Sequence, residues 1–341
     1  MPKRVNHIFY KQLKFSKMLN AYRRAAKGKH DNKEVILYEM DLASYLMEIL
    51  RDLQKGSYRP GVYRKFIIYE PKRREIRALP FKDRVVHQWY VEEFIKPIFL
   101  PKFIVDTYAC IQKRGLHAAI EKLRDYMKKK YKENEAFYIL KCDISKFFYS
   151  IQKDILINII SRYVKDADFL ELTKKIIYDG TGKVGIPIGN YTSQFFANIY
   201  LNELDHFVKE KLGVKYYIRY MDDFVLLLDS KEQCKEIKQK MGEFLTNKLK
   251  LQFNHKTNYF KNRQGVTFCG YRIFIHKILL KTDSKKKIYK KVKTWNKLYN
   301  KKELDLENAY VRLRSWVAHA EHADSEKLIK NVKKKCLWLT D

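Results

Sequence analysis

The stretch YYIRYMDDFVLLLD, residues 216–229, places two adjacent carboxylates, Asp222 and Asp223, inside an otherwise apolar run. Tyrosine, isoleucine, valine and phenylalanine favour strands, and the Met-Asp-Asp step between the two apolar halves is typical of a tight turn. The sequence therefore predicts two strands joined at this step, with both aspartates at the tip of a hairpin. Neighbouring like charges repel each other, so the pair is expected to have a cationic partner.

A third carboxylate, Asp143, lies near the end of the apolar run AFYILKCDI at residues 136–144, which has the pattern of a buried strand. A carboxylate is costly to remove from water unless a cation or a hydrogen-bond donor meets it. If the two strands are neighbours in one sheet, Asp143 and Asp222 converge, and a divalent metal ion is the simplest partner for them. The alternative is that Asp222 and Asp223 form only a solvated turn, and the hairpin alone leaves both interpretations open.

The composition is strongly basic, with 71 Lys and Arg against 39 Asp and Glu and a formal charge of +32 over 341 residues. This excess favours a polyanionic partner, which is either nucleic acid, whose phosphates release counterions on binding, or an anionic membrane surface. The sequence contains no apolar run of the roughly eighteen residues that a membrane span needs, and no secretory signal pattern. Cytoplasmic residence is therefore expected, with the five singly spaced cysteines as reduced thiols.

Strands and helices alternate along the chain, which indicates an α+β or α/β core followed by an all-helical basic tail. The periodicity and the turn residues predict the following elements. They are helices over 10–57, a basic β-hairpin over 58–81, a helix over 83–97 that ends at Pro97, helices over 151–178, an amphipathic helix over 193–212, a helix after 230, a small sheet element over 265–274 and a Lys-rich helical tail from about 278.

Six motifs occur in an order that resembles the reverse transcriptases, over roughly residues 55–275. They are EPKRREIRALPFKDRVVH, ILKCDISKFF, GIPIGNYTSQFFANIYL, YMDD, LQFNHKT and FCGY. The resemblance implies an α+β fold of the right-hand polymerase type, in which an antiparallel palm sheet carries the catalytic aspartates. It places an N-terminal extension and the fingers in residues 1–105, the palm with finger elements in 106–277, and a helical basic thumb in 278–341.

What the resemblance implies chemically is an RNA-directed DNA polymerase, a nucleotidyltransferase that works by two-metal phosphoryl transfer. Asp143, Asp222 and Asp223 would bind two Mg²⁺ ions, for which Mn²⁺ could substitute. Lys256, in the LQFNHKT motif, would neutralise or protonate the leaving pyrophosphate.

The resemblance also implies a dNTP site and a primer grip. The two sets are Lys72, Arg74, Phe148, Ile188, Gly189 and Gln194 for the dNTP, and Phe268, Gly270 and Tyr271 for the primer grip. The basic pair Lys72 and Arg74 would bind triphosphate oxygens, which suit a guanidinium group. Phe148 would exclude a ribose 2′-hydroxyl and so select dNTPs. Gly270 would let the backbone approach the primer closely.

The loop and helix motif carries IGNYTSQ at residues 188–194, where most bacterial reverse transcriptases have Gln at the first position and Pro at the last. This version resembles the reverse transcriptases of diversity-generating retroelements. The resemblance implies mutagenic retrohoming: a template-repeat RNA is copied into cDNA with errors at template adenines, in a bacterial or phage-infected cell. Since Ile188 offers only apolar contact where Gln would hydrogen-bond, we hypothesise that it loosens base selection, together with Gln194.

The partners that this resemblance implies are a template-repeat RNA, a DNA primer, dNTPs and a small basic oligomeric accessory variability protein, with no membrane. Two alternatives remain. A retron, group II intron-like or phage-defence reverse transcriptase would share the chemistry but serve another purpose. A non-catalytic nucleic-acid-binding scaffold would keep the fold alone, and the intact Asp143, Asp222, Asp223 and Lys256 argue against it.

Overall fold

A computed structural model describes residues 4–69, 73–178 and 182–339. The α-helices are α1 (Phe9–Gln12), α2 (Phe15–Ala26), α3 (Lys33–Met40), α4 (Leu42–Gln54), α5 (Phe81–Tyr90), α6 (Lys96–Phe99), α7 (Leu116–Glu133), α8 (Phe147–Ser150), α9 (Lys153–Ser161), α10 (Ala167–Ile177), α11 (Tyr191–His206), α12 (Lys231–Leu249), α13 (Thr282–Asn300), α14 (Leu306–Ala320) and α15 (Glu326–Lys334). The strands are β1 (Arg64–Ile68), β2 (Arg74–Ala78), β3 (Tyr138–Asp143), β4 (Tyr217–Tyr220), β5 (Asp223–Leu228), β6 (Asn258–Lys261), β7 (Val266–Phe268), β8 (Tyr271–Ile273) and β9 (Ile278–Leu280).

The chain divides into two compact units, each built from several segments. The first unit is formed by Met1–Ile111, Ile144–Gly213 and Gln239–His255. The second unit is formed by Gln112–Asp143, Val214–Lys238 and Lys256–Asp341. These units follow the density of internal packing, so the division into fingers, palm and thumb stays a prediction.

The first unit contains the predicted basic hairpin. Strands β1 and β2 pair antiparallel, from Arg64 opposite Ala78 to Ile68 opposite Arg74. Most of the β1 side chains are exposed, as expected of a two-stranded ribbon without a sheet beneath it. Residues 70–72, between the two strands, lie outside the described residues, and they include the predicted dNTP ligand Lys72.

The second unit contains a four-stranded antiparallel sheet in the order β4, β5, β3, β6. Strand β5 is buried from Phe224 to Leu228, which the continuous apolar run in the sequence predicts. The predicted pairing of the two aspartate strands is confirmed, because β3 runs antiparallel to β5 along its whole length. With antiparallel sheets and separate helices, the described chain has the α+β class.

The prediction of a helical tail from residue 278 is wrong at its start. Ile278–Leu280 is strand β9, which pairs with β8 and completes a second sheet in the order β7, β8, β9. A three-residue strand is too short to show a period of two, so only its pairing identifies it. After it, α13, α14 and α15 form a helical bundle around a core that includes Trp295, Leu313 and Val332.

The prediction that a helix ends at Pro97 is also wrong. After α5 the chain forms a π-helical turn at Val91–Ile95 and continues directly into α6, where Pro97 lies in the first turn. Proline is tolerated there because the N–H group that it lacks would have no partner at the start of a helix. The preceding π turn provides such a start without a break in the chain.

Helix α11 differs from the amphipathic helix predicted over 193–212. It begins earlier, at Tyr191, and gives way to a π-helical turn at Phe207–Lys211. It packs against both α5 and α9 and is buried on most of its surface. Two of its polar side chains are hydrogen-bonded inside: Asn198 donates to the carbonyl oxygen of Ala109 at 2.8 Å, and the Asp205 carboxylate accepts from the Thr107 hydroxyl at 2.9 Å.

Within the described ranges, no helix has the length and apolar character that a bilayer crossing would require. The five cysteines are free thiols, as predicted.

Candidate active site

Three carboxylates meet at one end of the four-stranded sheet. Asp143 is the last residue of β3 and stands directly opposite Asp223, the first residue of β5. Asp222 lies immediately before Asp223, in the turn between β4 and β5. Because directly opposed residues share a face of the sheet, the carboxylates of Asp143 and Asp223 project to the same side. The predicted convergence of the two aspartate motifs is therefore present, and the residue directly opposite Asp143 is Asp223 rather than Asp222.

The turn that carries Asp222 is fixed by a buried arginine. Met221 has a φ of 55°, which is a left-handed conformation that costs free energy for a residue with a side chain. The guanidinium of Arg219, which is fully buried, donates from Nη1 to the carbonyl oxygen of Met221 at 3.1 Å. Strand pairing of Tyr220 with Asp223 closes the turn. This arrangement holds the aspartate pair rigidly although the turn itself is strained.

The backbone of Asp143 is held by Thr257, which follows the predicted catalytic Lys256. The amide of Asp143 donates to the Thr257 hydroxyl at 3.1 Å, and that hydroxyl is 3.1 Å from the Asp143 carbonyl oxygen. Thr257 is buried, whereas Lys256 is exposed beside it. The LQFNHKT motif therefore supports Asp143 through its threonine, and the role of Lys256 stays a prediction.

Lys141 lies on the same face of β3 as Asp143, two residues before it. Its ammonium forms an ion pair with the Asp223 carboxylate. Burial lowers the pKa of the Lys141 ammonium to about 8, while the negative charges of Asp143 and Asp222 act in the opposite direction. A basic side chain is thus part of the carboxylate cluster itself.

The predicted primer-grip residues lie in the same unit. Phe268 pairs with Tyr271 across a turn in which Cys269 and Gly270 both have positive φ, which is the geometry of a tight hairpin turn. The Phe268 ring lies with its centroid 5.2 Å from the Lys141 ammonium. The structure therefore joins this hairpin to the carboxylate cluster through Lys141.

Three histidines form a cluster beside Tyr271, on the second strand of that hairpin. The Tyr271 hydroxyl donates to the His319 carbonyl oxygen at 2.8 Å and lies 2.8 Å from His319 Nδ1. The rings of His117 and His322 stack with centroids 3.4 Å apart. Burial lowers the pKa of His117 and of His319, and the neighbouring His322 lowers both further. His319 therefore holds the Tyr271 hydroxyl, and His322 packs on His117.

The predicted dNTP residues that are described all belong to the first unit. Arg74 begins β2 and is exposed, and Phe148 is half-buried on α8, with its ring edge-on to Phe147. Gln194 is exposed on α11, where its Oε1 accepts a hydrogen bond from the Cys110 thiol at 3.2 Å.

The loop that carries Ile188 and Gly189 connects two of these regions. The Ile186 amide donates to the Phe148 carbonyl oxygen at 2.8 Å, and the Arg77 amide donates to the Ile188 carbonyl oxygen at 3.0 Å. A Cβ at Gly189 would stand 3.0 Å from the Ile76 side chain and 3.1 Å from the Arg77 carbonyl oxygen. Gly189, with φ 121°, therefore allows the loop to lie directly against the basic hairpin.

Three supporting residues, Lys141, Arg219 and Thr257, escaped prediction from sequence. Lys141 could have been found from the period of two, which puts it on the face of Asp143. Thr257 had no such signal, because a threonine after a lysine is common in loops. Across the described residues, no set of three Asp, Glu, His or Cys side chains is arranged so that it could hold a metal ion.

The chain is similar in sequence to a known family and to several known proteins. Residues 70–273, more than half of the chain, match the family described as "Reverse transcriptase (RNA-dependent DNA polymerase)". Protein YkfC of Escherichia coli strain K12 is 27% identical over 299 residues, which cover 73% of this chain and 77% of YkfC. The group II intron-encoded protein LtrA of Lactococcus lactis subsp. cremoris is 24% identical over 306 residues, which cover 68% of this chain and 50% of LtrA.

Among solved structures, apo telomerase from Candida tropicalis truncated from the C-terminal domain aligns with a TM-score of 0.47 and 14% identity, covering 67% of this chain and 56% of that one. The chain thus spans about half the length of LtrA and of this telomerase.

Proposed function

This chain belongs to the reverse transcriptase family, whose members are RNA-dependent DNA polymerases, and we propose that its carboxylate sheet adds dNTPs to a primer on an RNA template. The observation that supports this site most strongly is the register of β3 and β5. It sets Asp143 opposite Asp223, next to Asp222, within the residues that match the family.

A divalent ion fits the donors at this site. Mg²⁺ in nucleotide-transferring enzymes is bound by one or two carboxylates, and substrate phosphates and water supply its other ligands. Asp143 and Asp222 offer such carboxylates, so a full protein cage is not required. When bound, the ions would supply charge that stabilises the attacking and leaving oxygens. The protein would hold the carboxylates in place through the Met221 turn and through Thr257.

The residues of the first unit would then serve nucleotide selection. Arg74 is exposed on the basic hairpin and can bind triphosphate oxygens, as can Lys72. Phe148, Ile188, Gly189 and Gln194 are proposed to contact the sugar and base, with Phe148 excluding ribonucleotides. Phe268, Gly270 and Tyr271 are proposed to hold the primer end, and Lys256 to act on the pyrophosphate.

Primer extension on an RNA template tests this function. Wild-type protein with Mg²⁺ should extend a DNA primer, and EDTA or the Asp222→Asn variant should stop the extension. The matched control is Asp125→Asn, since Asp125 is an aspartate on α7 that forms an ion pair with Lys129 at 2.9 Å. Equal extension by wild type and Asp222→Asn would contradict the proposal.

For the biological role, we propose low-fidelity copying of a template-repeat RNA in a diversity-generating retroelement, with an accessory variability protein as partner. The support is the IGNYTSQ motif, in which Ile188 offers no hydrogen bond from its side chain. Sequencing of cDNA made on an adenine-containing RNA tests this role. Errors concentrated at template adenines are expected, and an even error spectrum would contradict it.

A second candidate is a group II intron-like reverse transcriptase. The observation that favours it is the similarity to LtrA, a group II intron-encoded protein. The neighbouring DNA distinguishes the two candidates. A pair of near-identical repeats that differ at adenines would support diversification, whereas an intron flanking the gene would support the intron role.

A further inference from the structure

We propose that His319 is a positioning residue that fixes the turn of the primer-grip hairpin, between β7 and β8, to the end of helix α14. The position of this helix would then set where the primer terminus is held. The inference rests on the proposed function, which assigns the hairpin to the primer. All of the residues concerned belong to the second unit. His319 acts through Tyr271 and not by contact with the primer.

Tyr271 and His319 are joined by two hydrogen bonds. The side chain of Tyr271 is fully buried, and its hydroxyl donates to the carbonyl oxygen of His319 at 2.8 Å. Because a hydroxyl has one proton, its 2.8 Å contact with Nδ1 of the His319 ring requires that Nδ1 carries a proton and donates to the Tyr271 oxygen. One residue therefore satisfies both the donor and an acceptor lone pair of a buried hydroxyl, so loss of this contact is costly.

The His319 ring also lies beside the turn itself. Cys269 and Gly270 both have positive φ, and a Cβ added at Gly270 would stand 3.9 Å from Cε1 of the His319 ring. The Gly270 carbonyl oxygen accepts from the amide of Lys281, the N-cap residue of α13, at 3.2 Å. The turn is therefore in contact with the end of α14 and with the start of α13.

A second pair of hydrogen bonds attaches the same sheet to the chain that follows α14. The Ile278 amide, at the start of β9, donates to the Asp324 carboxylate at 2.8 Å, and the Asp324 amide donates to the Ile278 carbonyl oxygen at 2.8 Å. Two separate attachments, one on β8 and one on β9, oppose rotation of the sheet about either of them. His319 is the attachment that lies beside the turn, so its loss should release the turn most directly.

A fixed turn matters because the reaction rate depends on where the primer 3′-hydroxyl stands. A misplacement of about 1 Å can lower a rate by about 100-fold. The proposed dNTP residues that are described belong to the first unit, and duplex affinity depends mainly on basic side chains. Loss of the His319 contact should therefore lower the rate of addition while the KM for dNTP and the affinity for duplex stay nearly unchanged.

Single-turnover addition of one dNTP to a DNA primer on an RNA template tests this role. His319→Leu removes the ring nitrogen and should lower the rate constant at saturating dNTP by about 5-fold or more, the effect of one lost hydrogen bond. His319→Asn keeps an N–H donor at the δ position and should stay within about 2-fold of wild type. The control is His276→Leu, at an exposed histidine between β8 and β9, which should match wild type.

The amplitude of the same reaction separates positioning from stability, because it counts the active protein. A smaller amplitude with the wild-type rate constant in His319→Leu would show a purely structural role and would overturn the proposal. A raised KM for dNTP with an unchanged rate at saturation would overturn it as well. Duplex affinity, measured by fluorescence anisotropy, should stay within about 3-fold of wild type, and a larger loss would assign His319 to binding instead.

A double-mutant cycle with Tyr271→Phe tests whether His319 acts through the tyrosine. Since Tyr271→Phe removes the hydroxyl, adding His319→Leu to it should lower the rate by less than about 2-fold more. Independent losses would overturn the proposal. If wild type extends no primer, the proposed function fails, and the Tm values of the same four proteins still decide the contact. Coupled residues lose less Tm together than the sum of their separate losses.

Discussion

Two β-hairpins of this chain carry charge in opposite ways. The basic hairpin of β1 and β2 exposes its charged side chains, and even Phe66 and Ile67 keep 42% and 41% of their surface accessible. The acidic hairpin of β4 and β5 is buried along its strands, and its carboxylates stand at the tip. The basic hairpin presents its cations to solvent, whereas the acidic hairpin presents its carboxylates in one fixed geometry.

The difference reflects what each charge is proposed to bind. Triphosphate oxygens can be attracted by several flexible cations, and no single cation is indispensable in solvent. A metal site instead requires oxygens at fixed positions, and a misplaced ligand loses much of the effect. Burial of the acidic hairpin, with Arg219 and Lys141 as internal cations, supplies that fixed geometry.

The largest expected effect on the reaction rate comes from a substitution in β3, the strand that pairs with β5 of the acidic hairpin. Asp143→Asn should lower the rate of primer extension by about 10³-fold, because metal charge stabilisation is worth several kcal/mol. Affinity for an RNA–DNA duplex, measured by fluorescence anisotropy, should change by less than about 3-fold, since basic residues dominate that binding. Extension by Asp143→Asn at the wild-type rate would show that the carboxylates of this sheet do not take part in the reaction.

A smaller effect is expected at the basic hairpin. Arg74→Ala should raise the KM for dNTP by about 5- to 10-fold, because one charge-assisted hydrogen bond is lost at an exposed site. Lys55→Ala, which removes an exposed lysine that follows α4, is the control. Steady-state kinetics with one varied dNTP would measure this, and a KM equal to that of Lys55→Ala would place the triphosphate elsewhere.

Substitution of Ile188, in the loop that lies against the basic hairpin, should change the accuracy of cDNA synthesis more than its rate. Ile188→Gln should reduce errors at template adenines by about 5-fold, the effect of one regained polar contact. Ile188→Val keeps the apolar contact and should leave the spectrum unchanged. Deep sequencing of the cDNA measures both variants, and an unchanged spectrum for Ile188→Gln would remove this residue from base selection.

The smallest expected effect is on the pH dependence of thermal stability, through the histidines that lie beside the primer-grip hairpin. The pKa values of His117 and His319 are lowered in the folded chain, chiefly by burial. The unfolded chain therefore takes up protons first as the pH falls below about 6.5, and stability is lost from there downwards. His117→Phe keeps the ring against His322 but removes a titrating group.

The fall in Tm between pH 7.5 and pH 5.5 should be smaller in His117→Phe than in wild type, by about 2 to 4 °C. His276→Phe is the control, because His276 also lies edge-on to a tyrosine ring outside the histidine cluster. An equal fall in wild type and His117→Phe would show that this cluster does not set the acid sensitivity.

Sequence patterns were sufficient for the parts of the fold that have long, regular signals. The apolar runs predict the strands that carry Asp143 and the Asp222 turn, and the pairing of these strands was the condition on which the convergence of Asp143 and Asp222 depended. Strand β9 and the continuation of helix through Pro97 were missed, because they depend on pairing and on a π turn that no local pattern shows. The buried face of α11 was missed because its polar residues find partners only in the tertiary structure.

The most direct test of the contrast between the hairpins is the rate of a single dNTP addition on an RNA template at saturating dNTP, measured by rapid quench. Asp222→Asn should lower this rate by about 10³-fold, whereas Arg74→Ala should lower it by less than about 3-fold, because saturation compensates for weaker binding. A comparable loss of rate in both variants, or none in Asp222→Asn, would contradict the assignment of chemistry to the buried carboxylates and of affinity to the exposed hairpin.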